Sequence, residues 1–163
     1  MEKTDQQPHG GPEVATSEGR DAGIRNSFRK VVGYTTDVWE KDYAEIGLVI
    51  GPDHMNSLGY VHGGVYATIL DAAFGHAVAW CGVPGNMRQT VTTQLTTTYL
   101  KGAKEGKLVA RGRVLGVDGR IAAVAGEVVG SDGAICATGQ ATFIYLPGSE
   151  NPDGIPKPKR SSG

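Results

Sequence analysis

Cysteine is scarce in this chain: Cys81 and Cys136 are the only two in 163 residues. They form no CxxC pair, and the four histidines are too dispersed to complete a zinc ligand set with them. Free thiols in a reducing compartment are expected rather than a structural disulfide. An excess of one charge is also missing. The net charge of -1 gives no bulk electrostatic pull toward nucleic acid or anionic membrane. No apolar run approaches the roughly 20 residues that span a bilayer, and no apolar leader opens the chain. The expectation is a cytoplasmic protein without a nucleic-acid or membrane partner. Glycine, by contrast, is abundant at 25 residues, many at turn and helix-end positions.

Residues 1–26 carry almost no large apolar side chains, so they cannot offset the entropy of ordering and are expected to be a disordered tail. The Pro-rich stretch 147–163, with its basic finish at Lys157, Lys159 and Arg160, is expected to be a second one. The folded domain is then 27–146. Within it, two strands, Tyr34–Glu40 and Tyr43–Ile50, flank a Lys41-Asp42 turn. Gly51–Val61 reads as a loop, and Gly63 to Cys81 as the one long helix, ended by Gly82-Val83-Pro84-Gly85. Four strands follow: Thr90–Lys101, Lys107–Val117, Arg120–Val129 and Ala134–Leu146, with Asp118-Gly119 as a tight hairpin turn. In the last strand Ile135, Ala137, Gly139, Ala141 and Phe143 alternate with Cys136, Thr138, Gln140 and Thr142. Its small apolar face fits a sheet curled around a helix about 10 Å across. The fold class is α+β, an antiparallel sheet of about five to six strands around one central helix.

Asp71 stands inside the most apolar part of that helix, Val65–Phe74. A carboxylate taken out of water costs several kcal/mol unless it is paired or protonated. Thr68, one turn earlier, is a local candidate partner. Upstream, His62-Gly63-Gly64 coincides with the helix start, where backbone N–H groups have no internal acceptor and the macrodipole is positive. Free amides aimed at a developing oxyanion supply several kcal/mol in a transition state. Taken alone, the glycine pair reads equally as a plain turn, and Asp71 as an acid held by a neighbouring hydroxyl or facing solvent.

The string Asn56…His62-Gly63-Gly64…Asp71, followed by a Thr-rich strand ending in Tyr99-Leu100-Lys101, resembles the hotdog-fold acyl-CoA thioesterases of the phenylacetate-pathway (PaaI-like) type. The resemblance implies a hotdog fold, a homodimer or dimer of dimers, and active sites between subunits. It implies that Asp71 attacks the thioester or activates water, and that the Gly63 N–H holds the oxyanion. His62 and Asn56 would orient the thioester or the leaving sulfur. A strand hydroxyl would steady the acid: Thr92, or Thr93 if the register slips by one residue. Gly64, Thr68 and Phe74 would border the substrate, with Gly75 and Val78 extending the same face, although Val78 reads better as core. His76 reads as a satisfied core or interface histidine.

Coenzyme A would enter as part of the substrate, with no metal or other cofactor required. Its phosphates need cations, and Lys101, Lys104, Arg111, Arg113 and Arg120 are available, Lys101 and Arg120 foremost. Two other functions share the fold: a non-enzymatic acyl-CoA binding or sensing module, against which the retained acid argues, and an enoyl-CoA hydratase or dehydratase, against which the His-Gly-Gly spacing argues.

Overall fold

A computed structural model describes residues 27–158 of the chain. In chain order the elements are α1 (Ser27–Val32), β1 (Thr35–Glu40), β2 (Tyr43–Val49), a 3-10 turn at Pro52–His54, α2 (Gly63–Ala79), β3 (Asn86–Met87), β4 (Thr90–Tyr99), β5 (Lys107–Asp118), β6 (Ile121–Val129), β7 (Ile135–Tyr145) and β8 (Ile155–Pro156). Six strands form one antiparallel sheet in the order β1-β2-β5-β6-β7-β4, while β3 and β8 make a separate two-stranded ribbon. The sheet and the single long helix match the expected architecture. Of the expected tails, 1–26 and the end of the second, 159–163, lie outside the described residues.

The helix is seated by its apolar stripe. Tyr66, Ile69, Leu70, Ala73, Phe74, Ala77 and Val78 are buried, at the three- and four-residue spacing of a single helical face. Beneath Phe74 the sheet offers almost no side chain. Ala44 pairs with Gly112, Gly112 with Gly126, and Gly126 with Gly139, so β2, β5, β6 and β7 present one alanine and three glycines in a row. The Phe74 ring lies across the three glycines. At Gly112 an added Cβ would stand 2.9 Å from the backbone of Ala73 and from Phe74, and at Gly139 it would stand 3.0 Å from Leu70. The absent side chains are therefore what lets the helix backbone reach the sheet.

Two expectations need correction, and one short helix is an addition. The segment from Pro147 is not a loose tail as far as residue 158. Ser149 is fully buried, Arg88 donates to the carbonyls of Ser149 (2.9 Å) and Glu150 (3.3 Å), and β8 pairs with β3. The Asn86 amide adds a bond of 2.8 Å to Asp153 O. Composition did not reveal this because the partners are main-chain carbonyls, which carry no side-chain signature. The short helix α1 lies inside the expected domain, in a stretch to which the sequence reading assigns no element. Finally, the β5–β6 turn residues are Gly119 and Arg120, because Asp118 pairs with Ile121. Gly119 takes φ +54 there, the positive-φ first position that a type II′ hairpin turn reserves for glycine.

The glycine row generates a stability prediction. Gly112→Ala forces backbone of α2 away from the sheet and should cost about 2 kcal/mol or more in urea unfolding, the range of core overpacking. Gly119→Ala, strained only in its own turn, should cost about 1 kcal/mol. Equal losses in both would contradict this account.

Candidate active site

Asp71 is the only acid on α2. It projects from the side of the helix that faces β4, where Thr92 donates its hydroxyl proton to Asp71 Oδ1 at 2.7 Å. This is an ordinary O–H···O hydrogen-bond distance. Thr68, the local candidate, makes no such bond among the described residues. Thr93, the alternative strand hydroxyl, donates instead to Thr142 O at 3.0 Å. The pairing of β4 with β7 shifts between Thr92 and Gln94, a bulge that leaves Thr93 out of the alternation.

Asp71 is half-buried rather than enclosed. The cause lies in the strand order: β4 is the sheet's edge, and nothing described lies beyond it. Phe74, expected beside the substrate, is fully buried under the glycine row and belongs to the core, as does Val78.

The helix start is tightly specified. His62 is the N-cap, with extended backbone (φ −62, ψ 138), and its Nδ1 accepts from the Gly64 N–H at 2.9 Å. The neutral ring then carries its proton on Nε2, which is left as an exposed donor. The His62 main chain is held as well, donating to His54 O at 2.8 Å and accepting from Val65 N at 2.9 Å. Of the two glycine amides, Gly64's is thus occupied. Gly63's, the first of the helix, has no intrahelical acceptor. Ahead of it, Asn56 organises its own loop: Oδ1 accepts from Leu58 N (2.9 Å) and Tyr60 N (3.1 Å). That fixes the carboxamide and leaves its NH2 as a donor.

Gly63 and Asp71 share one helix eight residues apart, about 12 Å along the axis at 1.5 Å per residue. One reacting carbonyl spans no such distance. Within a single chain the acid and the Gly63 amide therefore do not meet on one carbonyl.

The cations are mostly engaged. Lys101 pairs with Asp132, and Arg120 Nε donates to Tyr145 O at 2.8 Å. Arg111 contacts Glu45 (3.2 Å) and Glu127 (3.6 Å), Lys104 lies 4.6 Å from the Tyr60 ring centre, and Arg113 lies 4.9 Å from that of Tyr43. Cys81 and Cys136 are free thiols. No helix among the described residues is long and apolar enough to cross a membrane. Sequence reasoning missed Tyr99 as a site residue. It is the last residue of β4 and donates its hydroxyl to Gly63 O at 3.2 Å.

One helix inside a curled antiparallel sheet is the hotdog fold, and solved structures share it. A thioesterase from Haemophilus influenzae superposes with a TM-score of 0.72 at 19% identity, over 82% of this chain and 92% of its own. The PaaI protein from the E. coli phenylacetic acid degradation operon gives 0.68 at 18% identity, over 75% and 86%. Among curated proteins, a "Putative esterase" of Archaeoglobus fulgidus is 28% identical over 108 residues, 66% of this chain and 67% of that protein. The model of the thioesterase superfamily matches residues 58–137, from the loop before α2 into β7. Over that stretch the chain is similar to the thioesterase superfamily, a likeness that supports a thioester hydrolase.

His76 is a structural group. Its Nδ1–H donates to Ala72 O at 2.7 Å, Nε2 faces the Thr36 hydroxyl at 3.2 Å, and the ring meets Trp39 edge-on. Burial holds it below the ordinary histidine pKa; the nearby Arg29 charge acts the same way, against the Ala72 bond. The unfolded chain binds this proton as pH falls through about 6.5. The folded chain binds it only at lower pH, so stability is retained above about 6.5 and falls below it. His76→Gln should flatten the difference in melting temperature between pH 7.5 and pH 5.5, and an unaltered slope would refute the assignment.

Proposed function

We propose that the protein hydrolyses acyl-CoA thioesters, with an aromatic or a short- to medium-chain acyl group, in clefts shared by two copies of the chain. The observation that carries this is the Asp71 carboxylate, held by Thr92 at the open edge of the sheet with its second oxygen unbonded among the described residues. Asp71 serves either as nucleophile, forming an acyl-aspartyl anhydride as the C–S bond breaks and the thiolate leaves, or as the base that takes a proton from the attacking water. The Gly63 N–H of the opposite chain stabilises the negative charge on the carbonyl oxygen, reinforced by the helix start. His62 Nε2–H and the Asn56 NH2 orient the thioester. Coenzyme A enters as substrate, and Arg120, whose terminal nitrogens have no hydrogen-bond partner among the described residues, is first choice for a phosphate.

The strand edges support the pairing. β1 is short, bulged at Asp37 and acidic, a blunted edge. β4 is ten residues long, without a single charge, and unpaired on its outer side. Such an edge accepts another strand, and a second β4 supplies one. An antiparallel pairing with its two-fold axis between Leu95 and Thr96 sets Thr92 opposite the partner's Tyr99. The Asp71 half-site then lies near the other copy's Gly63 half-site.

Asp71→Asn should lower kcat about a thousandfold toward phenylacetyl- or hexanoyl-CoA in a thiol-release assay, with the melting temperature retained. Thr92→Val should lower it about tenfold. Wild-type turnover by the Asn variant would end the proposal, whereas tight acyl-CoA binding without turnover by the wild-type chain would indicate a binding module.

The shared cleft has its own test. Gly63→Pro removes the amide proton and keeps the backbone path, because proline is tolerated at the first helical position and His62 already has the extended backbone proline requires; its added Cβ would stand at van der Waals contact, 3.4 Å from the Tyr99 ring. Gly63→Pro and Asp71→Asn chains should each be inactive. Refolded together, they should regain about a quarter of wild-type activity, since random pairing leaves one intact cleft in each mixed dimer. No recovery in verified mixed dimers would place both groups in one chain's site.

A further inference from the structure

We infer that Tyr99 is a positioning residue for the oxyanion amide, acting through Gly63. The inference rests on the reading of Gly63 as oxyanion donor. Two consecutive glycines open α2, and glycine loses more conformational freedom on ordering than any other residue. A helix start of that composition frays unless something outside the helix holds it. His62 ties down Gly64 from one side, through Nδ1. Tyr99 ties down Gly63 from the other: its hydroxyl donates to Gly63 O at 3.2 Å, and its ring covers the glycine, 3.4 Å from where a Cβ would stand.

The tyrosine is itself braced. Its ring meets Tyr66 edge-on at 6.2 Å between centroids, and the buried Tyr66 hydroxyl accepts from Ala103 N at 2.9 Å. The peptide whose carbonyl Tyr99 holds directly follows the one whose N–H faces the substrate. Fixing that carbonyl fixes the Gly63 dihedrals and with them the direction of the N–H.

The bulge at Thr93 makes this possible. Thr92 and Tyr99 are seven residues apart, so strict alternation would point them to opposite faces of the sheet. The extra residue restores both to the face that meets α2, where one bonds Asp71 and the other Gly63. A single strand thereby positions both half-sites.

The test is Tyr99→Phe, which keeps the ring and removes only the hydroxyl. The expected result is a fall in kcat of about tenfold with KM, melting temperature and dimer mass unchanged, the size of one net hydrogen bond realised in the transition state. Tyr99→Leu, lacking the ring too, should lose more in kcat with the same dimer mass by sedimentation. An unchanged kcat in Tyr99→Phe, or a loss confined to KM or to dimer stability, would overturn the inference. If Asp71→Asn and Gly63→Pro are inactive while Tyr99→Phe is fully active, only this inference fails. If those two variants keep wild-type rates, the reading beneath it fails instead.

Discussion

Close contact between α2 and the glycine row of β5, β6 and β7 is the constraint from which the other features follow. With Phe74 pressed onto Gly112, Gly126 and Gly139, the helix has one rotational setting about its own axis. That setting turns Asp71 sideways toward β4 and away from the core. The acid therefore escapes the desolvation that its apolar neighbours imply, and one threonine hydroxyl is enough to orient it. The same seating places the helix start beside the far end of β4, within reach of Tyr99.

The two edges of the sheet have opposite characters. Charge and a bulge close β1, where Asp37 also pairs with Lys107. β4 has neither lysine nor proline to discourage another strand. Its bulge serves a different purpose, correcting the parity of side chains along the strand. Of the two edges β4 is the one left open, and it is the strand that braces the acid.

Much of this was legible in the sequence, for reasons that can be named. The helix and all six sheet strands appear with ends shifted by no more than two residues, because each buries one face and so carries a period. Thr92 could be named against Thr93, although a one-residue slip inverts a strand, and the bulge between them was invisible. What stayed hidden is non-local. Nothing near Asp71 in sequence says that its neighbouring strand is the sheet's edge. Nothing around Phe74 says that glycines from three strands meet beneath it. The anchoring of residues 147–158 depends on donors some sixty positions earlier.

The manner of that anchoring bears on how the chain tolerates change. Arg88 grips two carbonyl oxygens while its guanidinium lies 4.1 Å from the Tyr145 ring centre, so it reads the path of the terminal segment and not its letters. Side chains there can drift through many substitutions while the attachment survives. Fragility is concentrated upstream, in one planar cation: lysine, a point charge on a flexible stem, reproduces neither the fork of donors nor the stacking.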